Sequence, residues 1–409
     1  MPWNWGYSRR GASAVADVWR TAFYGMRGLM GFQSTSQINQ DWTFSRGLRD
    51  TLPHVRRLVE GTGMHFVNNL VAKHEVAILY SQASLRAAFI ENRREEHDLL
   101  EEKVRLLLRN LGYAYDYVSY DELSEGAVSK RGYRVLLLAD AVAMSDAEVA
   151  AVRAFARAGG TVIAEGMPAL RAANCRVRAA APLADLFADG SRHTLFPEID
   201  VRYNKAIEYP EKAANAPVVK MERERYENAL MRAGASTTRV GIVNEETGKN
   251  VVNAEVFCKS DRAGNPLWGI LAPKVDRVFD VRFKFPKKAF TYDLVSGRLY
   301  GAVDTLRLPL GQGTPYAFVQ FPEAVGLETP AVNGARLSLA FTCAVDGAVR
   351  VEVLRPDGTE AHAYSKNVLM TAGKGSYEIP FALSDPSGEW KVCVTSVFGS
   401  LRREAVVRR

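Results

Sequence analysis

Residues 133–166, YRVLLLADAVAMSDAEVAAVRAFARAGGTVIAEG, predict a strand, a helix and a second strand in succession. The run Val135–Ala139 is apolar at every position, which is typical of a strand that is buried on both faces of a parallel sheet. Ser145 begins the helix as its N-cap, and Glu148, three residues later, completes a capping box. A glycine pair ends the helix before a second apolar run, so the segment is predicted to be a right-handed βαβ crossover.

The residues before this crossover continue the same pattern. Val76–Tyr80 and Tyr115–Ser119 are predicted to be further strands, and an amphipathic helix over residues 95–111 ends at Gly112. A further helix is predicted over residues 222–233. Strands that are connected through helices in this way predict an α/β domain with a doubly wound parallel sheet, of the flavodoxin or amidotransferase type.

The periodicity of the apolar residues changes to two from about residue 240, as in half-buried antiparallel strands. Apolar and charged residues alternate most clearly over residues 279–285. Ser296 and Gly297 are predicted to form a hairpin turn. The segment FPEAVGLETPAVNG at residues 321–334 is rich in Pro and Gly and separates two such regions. We therefore predict two antiparallel, sandwich-like β domains after the α/β domain.

The N-terminal segment has a different composition of elements. A helix is predicted over residues 14–24, a short strand over residues 29–33 and a second helix over residues 45–60, with Pro53 near a turn or a kink. One strand and two helices cannot bury their own apolar faces. We expect this strand to pack against the α/β domain, to pair with another chain or to be poorly ordered, because its edges would otherwise be unpaired.

Composition and charge limit the classes of function. The chain has 409 residues, so two to four domains are expected at about 100–200 residues each. The net charge is +7, but Lys and Arg are spread along the chain without a patterned aromatic platform, which argues against nucleic-acid binding. No run is long and apolar enough to predict a membrane span, and the N-terminus lacks the apolar region of a secretion signal.

Four cysteines, at positions 175, 258, 343 and 393, form no CxxC pair and have no His at the spacing of metal ligands, so no metal site is predicted. The wide separation of Cys343 and Cys393 would suit a disulfide between two sheets of a sandwich. The strand phase argues against that bond. Cys343 continues an inward apolar row, whereas Cys393 shares the face of Lys391 and Thr395.

The loops that would carry chemistry in a doubly wound domain follow the strands that end at Tyr80 and Ala139. Neither loop contains a phosphate-binding glycine motif or a nucleophile elbow, and no cofactor is predicted. Asp140 is interpreted as a loop cap in preference to a catalytic carboxylate. An aromatic group could stack on sugars but is interpreted first as core or interface packing; it comprises Trp3, Trp5, Tyr7, Phe32 and Trp42.

The order of these segments resembles the C-terminal part of family 42 glycoside hydrolases of the β-galactosidase type. Residues 4–34, NWGYSRRGASAVADVWRTAFYGMRGLMGFQS, look like the last turn of that family's (β/α)8 barrel. Residues 133–166 look like the centre of its α/β trimerisation domain, and residues 287–301, KKAFTYDLVSGRLYG, are similar to its small β domain. The C-terminal sandwich resembles an appended immunoglobulin-like module.

This resemblance implies sugar-facing residues but no catalytic ones. Asn4, Trp5, Phe32 and Gln33 would be the residues that face the sugar. Retaining glycosidases need an acid/base and a nucleophile carboxylate about 5 Å apart. In the family the acid/base lies far upstream of residue 1, and the nucleophile would directly precede Asn4, where this sequence has only Met, Pro and Trp. The isolated chain is therefore predicted not to hydrolyse glycosides.

Four domains are predicted from the sequence and the resemblance. They are a remnant of the last barrel turn (residues 1–65), an α/β trimerisation-like domain (66–236), a small antiparallel β domain (237–325) and an immunoglobulin-like sandwich (326–409). The resemblance implies a galactoside-like carbohydrate as ligand if the barrel is completed, and a homotrimer or the missing barrel portion as protein partner.

Two interpretations of function remain open at this point. The chain is either a non-catalytic C-terminal portion of a β-galactosidase-like glycoside hydrolase or a stand-alone non-catalytic oligomerisation or carbohydrate-binding protein.

Overall fold

The computed structural model describes residues 4–7, 12–32, 38–70, 74–208, 216–235, 240–251, 254–272, 275 and 277–409. Within these ranges, no helix combines the length and the apolar character that a bilayer crossing requires. The described chain combines one parallel five-stranded sheet with a short parallel pair and three antiparallel sheets. This mixture of α/β and all-β regions confirms the predicted fold class.

The N-terminal unit is a βαβα segment. Its elements are β1 (Asn4–Tyr7), α1 (Ala12–Phe23), β2 (Leu29–Phe32), α2 (Arg46–Arg57), a π-helical turn (Leu58–Thr62) and α3 (Gly63–Asn68). β1 and β2 pair in parallel, a pairing that the sequence pattern did not reveal. Ser45 caps α2 by accepting from the backbone N–H of Leu48, and Pro53 lies inside this helix. The non-helical break comes later, at Glu60 and Gly61.

Helix α1 packs on the antiparallel sheet of the third domain. Trp19 and Phe23 are completely buried, in one apolar cluster with residues of that sheet and of the C-terminal sandwich. Gly269 makes this possible, because a Cβ there would lie 2.6 Å from the Phe23 ring. The strand over residues 29–32 pairs with β1 of the same chain, an outcome that was not among the three expected for it. Helix α1 is the element that docks on a neighbouring domain, and the surface it contacts is mainly β and not α/β.

One carboxylate joins three parts of the chain. Glu255, at the start of an antiparallel strand, accepts from Arg20 of α1 at 3.1 Å. The same carboxylate accepts from Arg109, near the end of the long helix of the α/β domain, at 3.3 Å. The N-terminal βαβα unit, the α/β domain and the first β domain therefore share one charged contact.

The α/β domain contains a parallel sheet with the order β4-β3-β5-β6-β7. This is the flavodoxin-like order, in which the first strand lies between the second and the third. The strands are β3 (Val76–Tyr80), β4 (Tyr115–Ser119), β5 (Val135–Ala139), β6 (Thr161–Glu165) and β7 (Thr194–Phe196). The helices are α4 (Gln82–Ile90), α5 (Arg94–Leu111), α6 (Tyr120–Ser124), α7 (Ala127–Lys130), α8 (Asp146–Arg157), α9 (Arg202–Glu208) and α10 (Pro217–Arg232). A 3-10 turn (Ala184–Phe187) lies between β6 and β7.

The sequence signals that predicted the ends of two helices in this domain are confirmed. Ser145 and Glu148 form both hydrogen bonds of the predicted capping box at the start of α8. Gly112 ends α5 in the left-handed conformation with φ 77°. Helix α10 begins five residues before the predicted start, because Pro217 is well suited to the first helical turn, where its missing N–H costs nothing.

The first β domain is a single curled antiparallel sheet. Its strands are β8 (Gly241–Asn244), β9 (Glu255–Ser260), β10 (Pro266–Leu271), β11 (Phe279–Asp293), β12 (Arg298–Leu310) and β13 (Pro315–Phe321). β11 pairs with β12 along its length, with a register shift between Lys284 and Ala289. The first half of β11 also pairs with β8, and its second half also pairs with β13. The long bent strand allows one sheet to enclose a core, which includes Trp268, Phe283 and Phe318.

The C-terminal domain consists of two antiparallel sheets over one core. One sheet has the order β14 (Ala331–Asn333), β15 (Arg336–Ala340), β18 (Lys374–Glu378), and the other has the order β17 (Lys366–Met370), β16 (Gly347–Leu354), β19 (Glu389–Ser396), β20 (Arg402–Arg408). Cys343 is in the shared core, and Cys393 lies on the other face, where Arg402 donates to its Sγ at 2.9 Å. All four cysteines are free thiols, as the strand phase of Cys343 and Cys393 predicts.

Candidate functional site

Three of the four residues that were predicted to face a sugar lie on the two parallel strands of the N-terminal unit. The backbone of Asn4 is opposite Leu29, and that of Trp5 is opposite Met30. Phe32 is opposite Tyr7 at the carboxyl end of the pair. The structure therefore brings the backbones of three of the four predicted residues into one small sheet, whereas Gln33 lies outside the described residues.

The loop between β2 and α2 contains a tight hairpin over residues 38–44. Ile38 and Phe44 form an antiparallel bridge, and the N–H of Asn39 donates to the carbonyl oxygen of Thr43 at 2.8 Å. The carboxylate of Asp41 accepts from the backbone N–H of Thr43 at 3.1 Å and from its hydroxyl at 2.7 Å. Trp42, at the tip, is 86% exposed and has a φ of 64°. The hairpin therefore displays an indole ring on a hydrogen-bonded turn.

A buried ion pair follows strand β5 in the α/β domain. Asp140 directly follows the strand with a φ of 44°, and its carboxylate lies 2.9 Å from Nδ1 of His97 on α5. Arg93 is 3.6 Å from the same carboxylate, and Glu101 lies 3.8 Å from the other ring nitrogen of His97. Burial alone lowers the pKa of His97, but the hydrogen bond and the charge of Asp140 outweigh it, so the pKa is raised.

A second buried ionic cluster lies at the end of strand β6. Lys103 of α5 forms ion pairs with Glu165 and, at 3.1 Å, with Glu222 of α10, and it donates to the carbonyl oxygen of Asp200 at 2.7 Å. The hydroxyl of Tyr226 donates to Glu165. Burial raises the pKa of Glu165, although the positive charge of Lys103 opposes this shift.

These two clusters occupy the sheet edge at which doubly wound domains usually bind ligands. The side chains of Lys103, Glu165 and Glu222 are at most 1% exposed, so they contact each other and not solvent. Sequence analysis identified Asp140 as a loop cap but missed His97 and the Lys103 cluster. Glu165 could have indicated the Lys103 cluster from the sequence, because it is a carboxylate at the end of the mainly apolar strand TVIAE.

No group of three or more His, Cys, Asp or Glu side chains in the described ranges is arranged to hold a metal ion. In the Lys103 cluster each charged side chain has a partner of opposite charge, since Glu222 pairs with Arg225 as well as with Lys103. Such pairing is typical of a buried ion-pair network.

The combination of a parallel βαβα unit, a flavodoxin-like sheet and antiparallel β domains is similar in fold to solved structures of family 42 glycoside hydrolases. No protein-family model matches the sequence. No curated protein is similar to it at a significant level. The likeness to family 42 structures is therefore a likeness of fold and not of sequence.

Two solved structures illustrate this likeness. The E323A catalytic mutant of Gan42B, a family 42 β-galactosidase from G. stearothermophilus, superposes with a TM-score of 0.54 at 10% identity, over 76% of this chain and 51% of that chain. The family 42 exo-carrageenase from Bacteroides ovatus superposes with a TM-score of 0.51 at 10% identity, over 78% of this chain and 42% of that chain. This chain thus matches about half the length of these enzymes.

Proposed function

We propose that this chain is the non-catalytic C-terminal portion of a β-galactosidase-like glycoside hydrolase, and that it supplies oligomerisation and accessory β domains for carbohydrate hydrolysis. In this proposal residues 1–65, 66–236, 237–325 and 326–409 are the barrel remnant, the trimerisation-like domain, the small β domain and the immunoglobulin-like module. Asn4, Trp5, Phe32 and Gln33 contribute to the sugar-facing wall. The catalytic carboxylates belong to the remainder of the enzyme.

The observation that carries this proposal is the parallel pairing of β1 with β2 through α1. Parallel sheets are found almost only where both faces are covered and further strands pair at the edges, so a two-stranded parallel pair is stable chiefly as part of a larger sheet. A (β/α)8 barrel meets this need, because each strand is followed by a helix and pairs with its neighbours. The fold likeness, which spans about half of each family 42 structure, supports the same conclusion.

Assays of the chain and of its gene test the proposal. The purified chain should not release nitrophenol from 4-nitrophenyl β-galactoside. The DNA upstream of the codon for Met1 should continue in frame into barrel strands with two Glu residues, and the extended product should hydrolyse the same substrate. Hydrolysis by the chain itself, at a rate that stays constant through successive purification steps, would contradict the proposal. An upstream stop codon with a ribosome-binding site would favour the stand-alone alternative.

We also propose that the α/β domain mediates a homotrimer. Phe89 and Ile90, at the end of α4, are 68% and 71% exposed, and adjacent exposed apolar side chains of this size are typical of contact surfaces. Native mass spectrometry of the chain should give three times the monomer mass, and Ile90→Asp should shift it to the monomer. A monomeric mass for the unchanged chain would contradict this assembly.

A further inference from the structure

We propose that the hydrogen bond between Trp19 of α1 and His54 of α2 is a pH switch, which holds α2 on α1 at neutral pH and releases it in acid. The switch controls a conformational change within the N-terminal βαβα unit, namely the docking of one helix on the other. It does not depend on the proposed function, because both residues and their contact lie within the described chain.

The hydrogen bond joins a group that can only donate to an acceptor that can be protonated. Nε1 of Trp19 donates to Nδ1 of His54 at 2.9 Å, and the two rings meet edge to face at 86°. The indole nitrogen is a donor only, so Nδ1 must carry its lone pair and the imidazole must be neutral. Protonation places a hydrogen on both ring nitrogens. Two N–H groups would then point at each other, and the hydrogen bond is lost.

Trp19 cannot respond to this loss by turning toward water. Its side chain is completely buried, and its ring packs on those of Phe23 and Phe66 at centroid distances of 5.9 and 6.3 Å. An N–H group that stays buried without an acceptor is unfavourable, because it has lost its contact with water and gained no partner. The structural response must therefore come from the side of His54, which is only half-buried.

Helix α2 is the element that can move. Among its twelve residues, all of which the structure describes, Thr51 is the only buried one, and its hydroxyl donates to carbonyl oxygens of the same helix. Arg57, the last residue of α2, donates to carbonyl oxygens of both β domains. A helix of about this length is marginal in water unless another element supports it. Release of His54 should therefore expose the N-terminal part of α2 to unfolding, while Arg57 retains its C-terminal end.

The neighbouring charges do not favour a charged imidazole. The charged side chains that flank the contact each have another partner. They are Asp17 and Arg20 on α1, Asp50 and Arg57 on α2, and Glu60 on the π-helical turn. The titratable side chain of α3 is His65, whose ring packs against Phe66 and Phe398.

The direction of the pH dependence follows from these surroundings. No carboxylate in the described ranges pairs with His54, and burial lowers the pKa of its imidazole below the ordinary value of 6.5. A histidine whose pKa is lowered by folding stabilises the folded contact above the unfolded pKa. The contact is therefore complete at neutral pH and is lost as the pH falls through the lowered pKa.

Hydrogen exchange of the full chain, measured by mass spectrometry on peptides from α2, tests the switch. From pH 7.5 to 5.5, the exchange rate of these amides, corrected for the intrinsic effect of pH, should rise several-fold. About tenfold is the limit at one pH unit below the ordinary imidazole pKa. His65, with a pKa of about 4, stays neutral throughout this range.

Two variants and a control assign the effect to the hydrogen bond. In His54→Gln the amide oxygen can accept from the Trp19 N–H and does not titrate, so α2 should exchange slowly at both pH values. Trp19→Phe keeps an aromatic ring but removes the donor, so α2 should already exchange fast at pH 7.5. His362→Gln is the matched control, since His362 is 83% exposed in the C-terminal sandwich. It should respond to pH like the unchanged chain.

Equal pH responses of the unchanged chain and His54→Gln would overturn the inference. Exchange of α2 that does not depend on pH in the unchanged chain would overturn it as well. If circular dichroism shows that His54→Gln does not fold, Trp19→Phe decides the question. Slow exchange of α2 at pH 7.5 in that variant would show that the hydrogen bond does not hold the helix.

Discussion

The guanidinium of Arg57 in α2 donates to the carbonyl oxygen of Val397 in the C-terminal sandwich at 2.9 Å. Its Nε donates to the carbonyl oxygen of Leu294, at the hairpin between β11 and β12, at 3.0 Å. One side chain of the N-terminal βαβα unit thus contacts both β domains. The contact fixes the position of α2 relative to these domains.

Arg57→Ala should lower the free energy of unfolding by about 2–4 kcal/mol, because it removes two hydrogen bonds from a charged donor and leaves two carbonyl oxygens without it. Urea unfolding at neutral pH measures this loss. The neighbouring Arg56 is the matched control, since its side chain is 74% exposed and pairs with Glu60 in the i,i+4 position. Arg56→Ala should cost about 0.5 kcal/mol or less. Equal losses in the two variants would contradict the bridging role of Arg57.

A substitution in the turn against which Arg57 packs should also destabilise the chain. Gly297 has a φ of 71°, and a Cβ there would lie 2.8 Å from the Arg57 guanidinium and also meet the hydroxyl of Ser400. Gly297→Ala should therefore destabilise the chain by about 2–3 kcal/mol, through backbone strain and the displaced Arg57. The measurement is the shift of the urea midpoint.

Gly301 allows the cost of backbone strain to be separated from the cost of displacing Arg57. It has a φ of 79° in the same sheet, with nothing within 4 Å of a Cβ. Gly301→Ala should show the backbone cost alone, about 1 kcal/mol. If both alanine variants lose the same stability, the close packing of Arg57 on the turn contributes nothing.

Local signals predicted much of the fold, because they depend on neighbouring residues. The bounds of β3, β4 and β5 match the predicted strands, and the capping box at Ser145 forms as predicted. Contacts between distant residues were not predictable in this way. Arg57 and Val397 are 340 positions apart, and no local periodicity relates them.

In the candidate site, too, some features could be predicted from the sequence and others could not. The family resemblance pointed to Asn4, Trp5, Phe32 and Gln33, and the structure pairs the strands of the first three in parallel. The exposure and left-handed backbone of Trp42 were not predictable, because they result from hydrogen bonds within a turn that has no glycine at its tip. Lys103 likewise appeared to be an ordinary helix residue until its contact with Glu165 was seen.

The buried cluster around Lys103 should be strongly coupled. Lys103→Met should cost about 3–5 kcal/mol, because Glu165 would remain buried without a positive partner and Glu222 would keep only its ion pair with Arg225. The triple variant Lys103→Met, Glu165→Gln, Glu222→Gln should recover a large part of this loss, since the two buried carboxylates lose their charge and Arg225, which is 27% exposed, remains in contact with solvent. Urea unfolding of both variants measures the difference.

Lys220 on the same α10 helix is the control for a lysine substitution. Its ammonium lies 3.9 Å from Glu224, and both side chains are largely exposed, at 78% and 60%. Lys220→Met should change the free energy of unfolding by about 0.5 kcal/mol or less. A triple variant that is no more stable than Lys103→Met would show that the cluster is not held by charge pairing.

The buried His65 should make the stability of the chain sensitive to acid. This side chain is completely buried against Phe66 and Phe398, and burial lowers its pKa from 6.5 to about 4. The folded state therefore holds His65 neutral, while the unfolded state binds a proton below about pH 6.5. Stability should fall as the pH decreases from about 6.5 to 4, by about 3 kcal/mol from this residue.

His65→Gln removes the titrating group and keeps a polar side chain near Asn69, whose amide lies 3.3 Å from the ring. Urea unfolding of both proteins at several pH values should show a smaller acid loss in the variant, whatever its stability at pH 7.5. His97 cannot produce the same signal. Its pKa is raised in the fold, so its contribution is complete below the unfolded pKa of about 6.5 and is lost as the pH rises through the folded value. Parallel pH profiles for the unchanged chain and His65→Gln would show that His65 is hydrated or protonated in the folded protein.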